Sequence, residues 1–281
     1  MSDYSTPTAV KRAKTYYDNP DADEFYYRIW GGEDIHIGLY KDSEEAIAKA
    51  SHRTVVHMAS KIKHRLAGTH VLDMGAGYGG SARYLARKKG YRVICLNLSE
   101  AQNERNREIT LNEMLSVLVD VVDGNFEDVP YDDEAFDVVW SQDAILHSGN
   151  RQRVFEEADR VLRPGGDFIF TDPMQTESAE SQVIEPVLER IDLESLGSPE
   201  AYLEYARDLG WELVDQDLQP DQLVNHYSRV LDVLQSSEED LREWCSEDYL
   251  ERMKTGLKNW INAGRQDALT WGFLHFRKAK A

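Results

Sequence analysis

The chain is poor in cysteine, in basic residues and in long apolar runs, and each shortage excludes a class of protein. Its 281 residues include two cysteines, Cys95 and Cys245, which form no C-x-x-C pair, so no disulfide framework or zinc site is implied. No amino-terminal signal segment and no run of 18 apolar residues is present, so we expect a cytoplasmic protein that does not contact membranes. The 51 acidic and 32 basic residues give a formal net charge of −19, which argues against nucleic acid as a partner.

A glycine-rich turn is the most informative feature that is present. Residues 71–80 read VLDMGAGYGG, an apolar strand that runs into a G-x-G-x-x-G pattern made by Gly75, Gly77 and Gly80. A helical stretch (81–89) and a second strand (91–96) follow, and Asn97 stands at the end of that strand, where ribose hydroxyls are usually bound. Such a turn leaves backbone N–H groups free for a nucleotide-like cofactor, although glycine turns also serve plain strand-to-helix packing.

Further motifs follow in an order that resembles the S-adenosylmethionine-dependent methyltransferases of the doubly wound α/β type. The resemblance covers about residues 45–172 and a closing strand near 269–277. Its motifs are the glycine turn, a Gly-Asn-Phe after the strand 117–122, the strand 136–140, and a Leu-Arg-Pro-Gly-Gly turn that enters a fifth strand. The resemblance implies a mostly parallel, seven-stranded, Rossmann-like sheet with a helical cap inserted after the fifth strand.

Periodicity divides the chain into a short leading segment and one catalytic domain. Residues 1–41 are rich in tyrosine and form a predicted aromatic lid, and residues 42–281 form the predicted cofactor-binding domain, with cap segments at about 175–209 and 219–263. A helix is predicted from Asp42, with Glu45 as its capping-box partner, to about residue 66. The segment 211–218 is a predicted strand.

Aromatic residues are concentrated at the amino terminus, where eight fall within the first 40 positions. They are either core packing or a wall for a cation, because aromatic faces attract sulfonium and ammonium groups. Tyr26, Tyr27 and Trp30 favour the second interpretation, because a Gly-Gly pair follows them directly. His147 and Asp143 come just after the fourth strand, at the edge of the sheet that faces the ligand crevice, so His147 could accept an amine proton or orient a tyrosine.

Two segments sharpen the resemblance. Residues 29–40 (IWGGEDIHIGLY) and 95–103 (CLNLSEAQN) are similar to the sarcosine/dimethylglycine N-methyltransferases of glycine betaine synthesis, in which Asn is expected at position 97. This resemblance implies S-adenosylmethionine as donor, S-adenosylhomocysteine as its product, a small amine as substrate, and no metal. Glycine betaine is a compatible solute made under osmotic stress, so this resemblance would suit a halophilic host. The acidic composition agrees with such a host, but ordinary solubility explains it as well. The implied cofactor-binding residues are Ile35, His36, Asp73, Gly75, Ala76, Gly77, Asn97, Leu98, Gln102, Asn125, Phe126 and Gln142.

The phosphoethanolamine methyltransferases are the alternative relatives, because they carry a similar aromatic-Gly motif and a Ser-x-Asp-Ala-Ile-Leu-His segment. That similarity implies that Tyr26 and His147 act as a catalytic dyad beside the amine. The family also has a lysine shortly before its final Trp-Gly strand, which residues 264–267 lack, so a carboxylate substrate fits better than a phosphate. The predicted substrate-binding residues are Tyr27, Trp30, Asp143, Arg190 and Tyr202, with Arg28 and Arg229 as other candidate carboxylate ligands.

Other interpretations stay open from the sequence. A protein that binds the cofactor without catalysis would share the fold. A cyclopropane-forming lipid enzyme would need an apolar acyl channel, whereas the acidic, tyrosine-rich cap favours a small polar substrate. We expect a monomer or a weak homo-oligomer.

Overall fold

The computed structural model describes residues 8–191 and 193–280. Residues 1–7 of the predicted lid, which include Tyr4, lie outside the described residues.

The described residues form one seven-stranded sheet in the order β3-β2-β1-β4-β5-β7-β6. The strands are β1 (His70–Met74), β2 (Arg92–Asn97), β3 (Val119–Asp123), β4 (Phe136–Gln142), β5 (Leu162–Gln175), β6 (Glu212–Leu218) and β7 (Leu269–Arg277). Strands β1 to β5 are parallel, and β7 runs antiparallel to both β5 and β6. The predicted mostly parallel, doubly wound sheet is therefore confirmed.

The helices of the described part cover both faces of this sheet. They are α1 (Thr8–Tyr17), α2 (Pro20–Phe25), α3 (Ile47–Lys61), α4 (Gly80–Lys89), α5 (Glu100–Asn112), α6 (Arg151–Val161), α7 (Ser181–Arg190), α8 (Pro199–Asp208), α9 (Pro220–Ser236), α10 (Glu238–Leu241) and α11 (Glu247–Arg265). Neighbouring strand residues such as Val71 and Leu72 belong to different apolar clusters, because successive side chains point to opposite faces. None of the described helices is both long and apolar enough to cross a bilayer.

The predicted cap does not form one unit. Helices α7, α9 and α11 pack together and share an apolar cluster with α3, α4 and the aromatic residues of the amino-terminal segment. Helix α8 packs instead against α6 and β6, and its buried residues belong to the cluster on the other face of the sheet. Residues 199–208, which belong to the first predicted cap segment, thus form a crossover helix of the doubly wound core and not part of a cap.

The amino-terminal segment contains a π-helix, Tyr26–Gly31, which directly follows α2. A π-helix has a wider turn than an α-helix and is frequent at functional sites. Its turn brings the rings of Tyr26 and Trp30 together, with centroids 4.8 Å apart, and both side chains are buried. Gly32 follows with a φ of 72°, a conformation that glycine adopts without strain.

The helix predicted from Asp42 begins later, at Ile47. The Asp42 carboxylate accepts from the backbone N–H of Glu44, at 3.1 Å, and Glu45 accepts from the N–H of Lys41 and pairs with Arg53. The two acids therefore stabilise a turn before the helix. The capping-box prediction was wrong because the same side chains satisfy turn N–H groups and an arginine instead of helix N–H groups.

Candidate active site

The glycine turn lies at the carboxyl end of β1, and α4 begins directly after it. Gly75, Gly77 and Gly79 have φ values of 78°, 52° and 76°. The backbone N–H of Gly75 donates to the carbonyl of Leu96 on β2, at 2.8 Å, and a Cβ on Gly75 would lie 2.3 Å from the Cβ of Ala144. Only glycine fits a turn that is both left-handed and this close to the loop after β4.

A cavity opens beside this turn, and we call it the donor cavity. Eight of the predicted cofactor-binding residues line it: Ile35, Gly75, Gly77, Asn97, Leu98, Gln102, Phe126 and Gln142. Tyr17, Ser99, Asp143, Ala144 and His147 complete its lining. A neighbouring recess, which shares Ile35, Gly75, Gly77 and Gln142 with it, adds His36, Asp73 and Ala76. The structure thus brings 11 of the 12 predicted cofactor residues together at the switch point of the sheet.

Several buried polar atoms at the donor cavity have no hydrogen-bond partner among the described residues. They are Nε2 of Gln102, Nε2 of Gln142, Nε2 of His36 and Oδ2 of Asp73. Burial, and after it the nearby Asp34, raises the pKa of Asp73 to about 8. Buried polar groups are normally paired, so unpaired donors together with a buried carboxyl group indicate a polar ligand. The adenosine and amino-acid parts of S-adenosylmethionine offer the hydroxyl, amine and carboxylate groups that these atoms could bind.

His147 lies at the border between the donor cavity and a second, inner chamber. Its Nε2 is 2.8 Å from the hydroxyl of Tyr17 on α1. Burial lowers the pKa of His147 to about 4, and the positive charges of Arg151 and Arg190 act in the same direction. The imidazole is therefore neutral at pH 7 and pairs with a neutral tyrosine, since burial raises the pKa of Tyr17.

The structure does not bring the two residues of the predicted dyad, Tyr26 and His147, into contact, and Tyr17 is the tyrosine that pairs with His147. The hydroxyl of Tyr26 instead lies 2.9 Å from that of Tyr16 and 3.5 Å from Nη2 of Arg190. Tyr26 is in the wider turn of the π-helix, which directs its ring toward Arg190, whereas α1 carries Tyr17 to the histidine. Tyr17 was missed because no motif marks it, and it is one of several tyrosines in that segment.

The inner chamber has mainly aromatic and apolar walls. Its lining residues are Tyr17, Tyr26, Trp30, Ile35, His36, Ile37, Asp143, Leu146, His147, Pro173, Arg190, Ile191 and Tyr227. Its volume is about 40 Å³, and because a cavity needs about 10 to 15 Å³ to hold one water, it has room for roughly three water molecules. A chamber of this size favours a small molecule over a long acyl chain.

Arg190 is the cation of the inner chamber. Its guanidinium carbon lies 5.5 Å from the ring centroids of Trp30 and of Tyr227, and 5.8 Å from that of Trp260. Its Nε is buried without a hydrogen-bond partner, and no described carboxylate forms an ion pair with its guanidinium. Arg190 is partly buried, and a cation removed in part from water normally has an anionic partner, so the chamber is suited to bind an anion from outside the chain.

Asp143 lies between the donor cavity and the inner chamber, but its carboxylate already accepts two hydrogen bonds. The N–H of Ile37 donates to it at 2.6 Å and Nε1 of Trp271 donates at 2.8 Å. Burial raises its pKa. Asp143 therefore joins the 35–37 loop to β7, so both of its oxygens are engaged before any ligand binds.

Two predicted site residues, Tyr27 and Asn125, lie outside both cavities. Tyr27 is partly exposed, and its ring stacks on the guanidinium of Arg105, at 4.1 Å. The side-chain oxygen of Asn125 accepts from the backbone N–H of Glu127, at 2.9 Å, and so stabilises a turn. Neither side chain lines the donor cavity or the inner chamber. Membership of a motif was a misleading guide for these two residues, because neighbouring side chains in a motif point in different directions.

Tyr202, which was predicted to bind the substrate, also lies outside the site. It lies on α8, on the opposite face of the sheet from the chamber, where its ring packs against Phe155 and Phe170. Its hydroxyl donates to Oδ2 of Asp172, at 2.5 Å. Tyr202 is a fully buried core residue that satisfies a buried carboxyl group, so it is not available to a substrate.

The glycine turn, the donor cavity at the switch point and the β7 reversal together define an S-adenosylmethionine-dependent methyltransferase. The family model described as a methyltransferase domain matches residues 72–170. A sarcosine/dimethylglycine N-methyltransferase from Aphanothece halophytica is 56% identical over 96% of this chain and 97% of its own, and one from Halorhodospira halochloris is 54% identical over the same shares. The crystal structure of a putative sarcosine dimethylglycine methyltransferase from Galdieria sulphuraria is 41% identical, with a TM-score of 0.89 over 95% of this chain and all of that one. The chain belongs to the sarcosine/dimethylglycine N-methyltransferase family, as its sequence motifs predict.

Proposed function

We propose that the protein transfers methyl groups from S-adenosylmethionine to the nitrogen of sarcosine and then of N,N-dimethylglycine, which yields glycine betaine. The observation that carries this proposal is Arg190, a partly buried arginine that has no carboxylate partner among the described residues and lines a small aromatic chamber next to the donor cavity. An amino-acid carboxylate is the complementary anion, and the small chamber favours a compact acceptor such as sarcosine over a large one. The names of the family members support the same substrates.

The two ends of the inner chamber suggest how the acceptor is oriented. Arg190 lines the chamber but not the donor cavity, whereas Tyr17 and His147 line both. A substrate whose carboxylate binds Arg190 would therefore direct its nitrogen toward Tyr17, His147 and the donor cavity. Holding donor and acceptor in line is the main task of a methyltransferase, because the transfer needs no covalent intermediate.

S-adenosylmethionine supplies a methyl group on a positively charged sulfur, and the acceptor must present a free lone pair. The amine therefore has to lose its proton before the transfer. His147, with its lowered pKa, is too weak a base to hold that proton, so we assign it the role of orienting the hydroxyl of Tyr17. Burial favours the neutral amine, and the faces of Tyr26, Trp30 and Tyr227 would stabilise the positive charge that develops on nitrogen.

The amino-terminal segment would act as the lid of this site. Residues from α1 and the π-helix supply Tyr17, Tyr26 and Trp30 to the chamber walls, and the 35–37 loop is fixed by Asp143. We propose that these residues exclude water from the reacting nitrogen. We further propose that the protein acts as a monomer or a weak homo-oligomer on a free small-molecule amine.

A phosphoethanolamine-type substrate is a poorer fit. Its phosphate carries up to two negative charges and is usually held by several basic groups. In the described lining of the inner chamber Arg190 is accompanied only by His36 and His147 as basic residues, and His147 is neutral at pH 7.

The test is transfer of labelled methyl groups from S-adenosylmethionine to glycine, sarcosine, dimethylglycine and phosphoethanolamine, each offered alone. We expect turnover on sarcosine and dimethylglycine, with glycine betaine as the final product. Turnover on phosphoethanolamine alone would refute the carboxylate assignment. Cofactor binding without turnover on any acceptor would indicate a binding protein or another substrate.

A further inference from the structure

A third cavity lies outside the donor cavity and the inner chamber, and we call it the outer groove. It is bounded by α1, α7 and α11, and its volume of about 740 Å³ far exceeds that of the chamber. Its lining residues are Lys11, Arg12, Thr15, Tyr16, Asn19, Pro186, Glu189, Arg190, Tyr249, Glu251, Arg252, Met253, Thr255, Gly256 and Asn259. None of these residues lines the donor cavity.

Arg190 connects the outer groove to the inner chamber, because it lines both. The remaining partition between them includes the paired hydroxyls of Tyr16, which faces the groove, and Tyr26, which faces the chamber. The two cavities are thus separated by a few side chains. The donor cavity lies on the other side of the chamber, behind Tyr17 and His147.

We propose that the outer groove is the access route of the acceptor, separate from the crevice through which the cofactor binds. The inference rests on the proposed function, because it takes the acceptor to be a zwitterionic amino acid. Such a molecule reaches Arg190 from the groove with its nitrogen leading and its carboxylate trailing. Arg190 then holds the carboxylate at the partition, and the nitrogen faces Tyr17 and the donor cavity.

Two further observations support this route. The groove lining includes residues of both charges, Glu189 and Glu251 as well as Arg190 and Arg252, which suits a zwitterion. In addition, α11 has a glycine, Gly256, where it passes Arg190, and a Cβ there would lie 2.4 Å from Cδ of the arginine. A glycine inside a helix costs about 1 kcal/mol relative to alanine, so its presence indicates that the arginine needs this space.

The experiment narrows the groove from each of its two walls. Thr15→Trp on α1 and Thr255→Trp on α11 both replace exposed groove residues. Asn262→Trp is the matched control, because Asn262 is exposed on α11 about 10 Å further along the helix and does not line the groove. The measurements are kcat/KM for dimethylglycine, and the affinity for S-adenosylhomocysteine by calorimetry.

We expect kcat/KM for dimethylglycine to fall on the order of tenfold in both groove variants, because a narrowed route slows association. The affinity for S-adenosylhomocysteine should stay within about twofold of the wild-type value, and the control should match the wild type in both measurements. Wild-type kcat/KM in both groove variants would overturn the route. Loss of S-adenosylhomocysteine binding in both, with a normal control, would show that the groove is not separate from the cofactor crevice. If the wild-type protein itself does not methylate dimethylglycine, the proposed function is refuted, and the proposed route, which rests on it, is refuted as well.

Discussion

Replacement of Arg190 by methionine is the perturbation that most sharply tests how the acceptor is bound. Methionine keeps most of the length and the apolar contact with the surrounding rings, but it removes the only guanidinium in the described chamber lining. A carboxylate bound in the chamber would then be buried without its charge partner. Such a loss costs about 2 to 5 kcal/mol, which corresponds to a rise in KM of roughly 30-fold to several thousandfold.

The assay compares KM for dimethylglycine with KM for S-adenosylmethionine in Arg190→Met and in Arg229→Met. Arg229 donates from Nε to the carbonyl of Glu45 and lines neither the chamber nor the donor cavity, so it is the matched control. N,N-Dimethylethanolamine, which lacks the carboxylate, serves as a second acceptor. We expect Arg190→Met to raise KM for dimethylglycine alone and to reduce the preference for it over the alcohol. A change of less than about threefold, or equal effects of both substitutions, would refute the assignment of Arg190.

Three further predictions follow from individual contacts. Gly256→Ala should displace Arg190 and raise KM for dimethylglycine about tenfold, with KM for S-adenosylmethionine unchanged, even though alanine is the better helix former. An unchanged KM for dimethylglycine would show that Arg190 does not need the space beside Gly256. Tyr17→Phe should lower kcat more than Tyr26→Phe does, because Tyr17 contacts His147, and steady-state kinetics showing the reverse order would restore the original dyad. Asp73, whose pKa is raised to about 8, is largely protonated at pH 7 and should lose its proton if the cofactor's amino group binds there as an ammonium. Calorimetry in buffers of different ionisation enthalpy should therefore show net proton release at pH 7 and less at pH 8, where the free amino group itself must gain protons. Release that persists in Asp73→Asn would assign it to another group.

The pH dependence of catalysis follows from His147. Because burial lowers its pKa to about 4, the ring is neutral throughout the range above pH 5, and its protonation removes activity only as the pH falls through about 4. We therefore expect kcat/KM for dimethylglycine to rise steadily from pH 6 to 9 with the fraction of free amine, without an inflection near pH 6.5. An inflection near 6.5 that disappears in His147→Asn would show that the histidine titrates normally and acts as the base.

The sheet and the donor cavity could be predicted from the sequence because both depend on local patterns. Short apolar runs ending in Gly75 or Asn97 define strands and the positions directly after them, and in a parallel sheet those positions meet at one edge. The cofactor residues are therefore close in space because each follows a strand of the parallel sheet, and the strands can be recognised in the sequence. Asn125 is the exception, because its side chain turns back to cap its own loop.

The acceptor residues were less predictable because they come from elements that are distant in sequence. Tyr17, Arg190 and Tyr227 meet only after α1, α7 and α9 have packed on the same face, and no spacing rule links them. Tyr202 is also a tyrosine, and its helix α8 has an apolar pattern much like that of α7. Helix α8 nevertheless packs on the other face of the sheet. Which face a helix covers is set by the crossover, so a helical pattern alone could not distinguish the two.

The measurement that tests the central claim most directly is a crystal structure of the protein with S-adenosylhomocysteine and dimethylglycine. The account predicts that the dimethylglycine carboxylate contacts the guanidinium of Arg190, and that its nitrogen lies beside Tyr17 and faces the sulfur in the donor cavity. A complex in which the carboxylate contacts another residue, or in which the nitrogen points toward the outer groove, would contradict it.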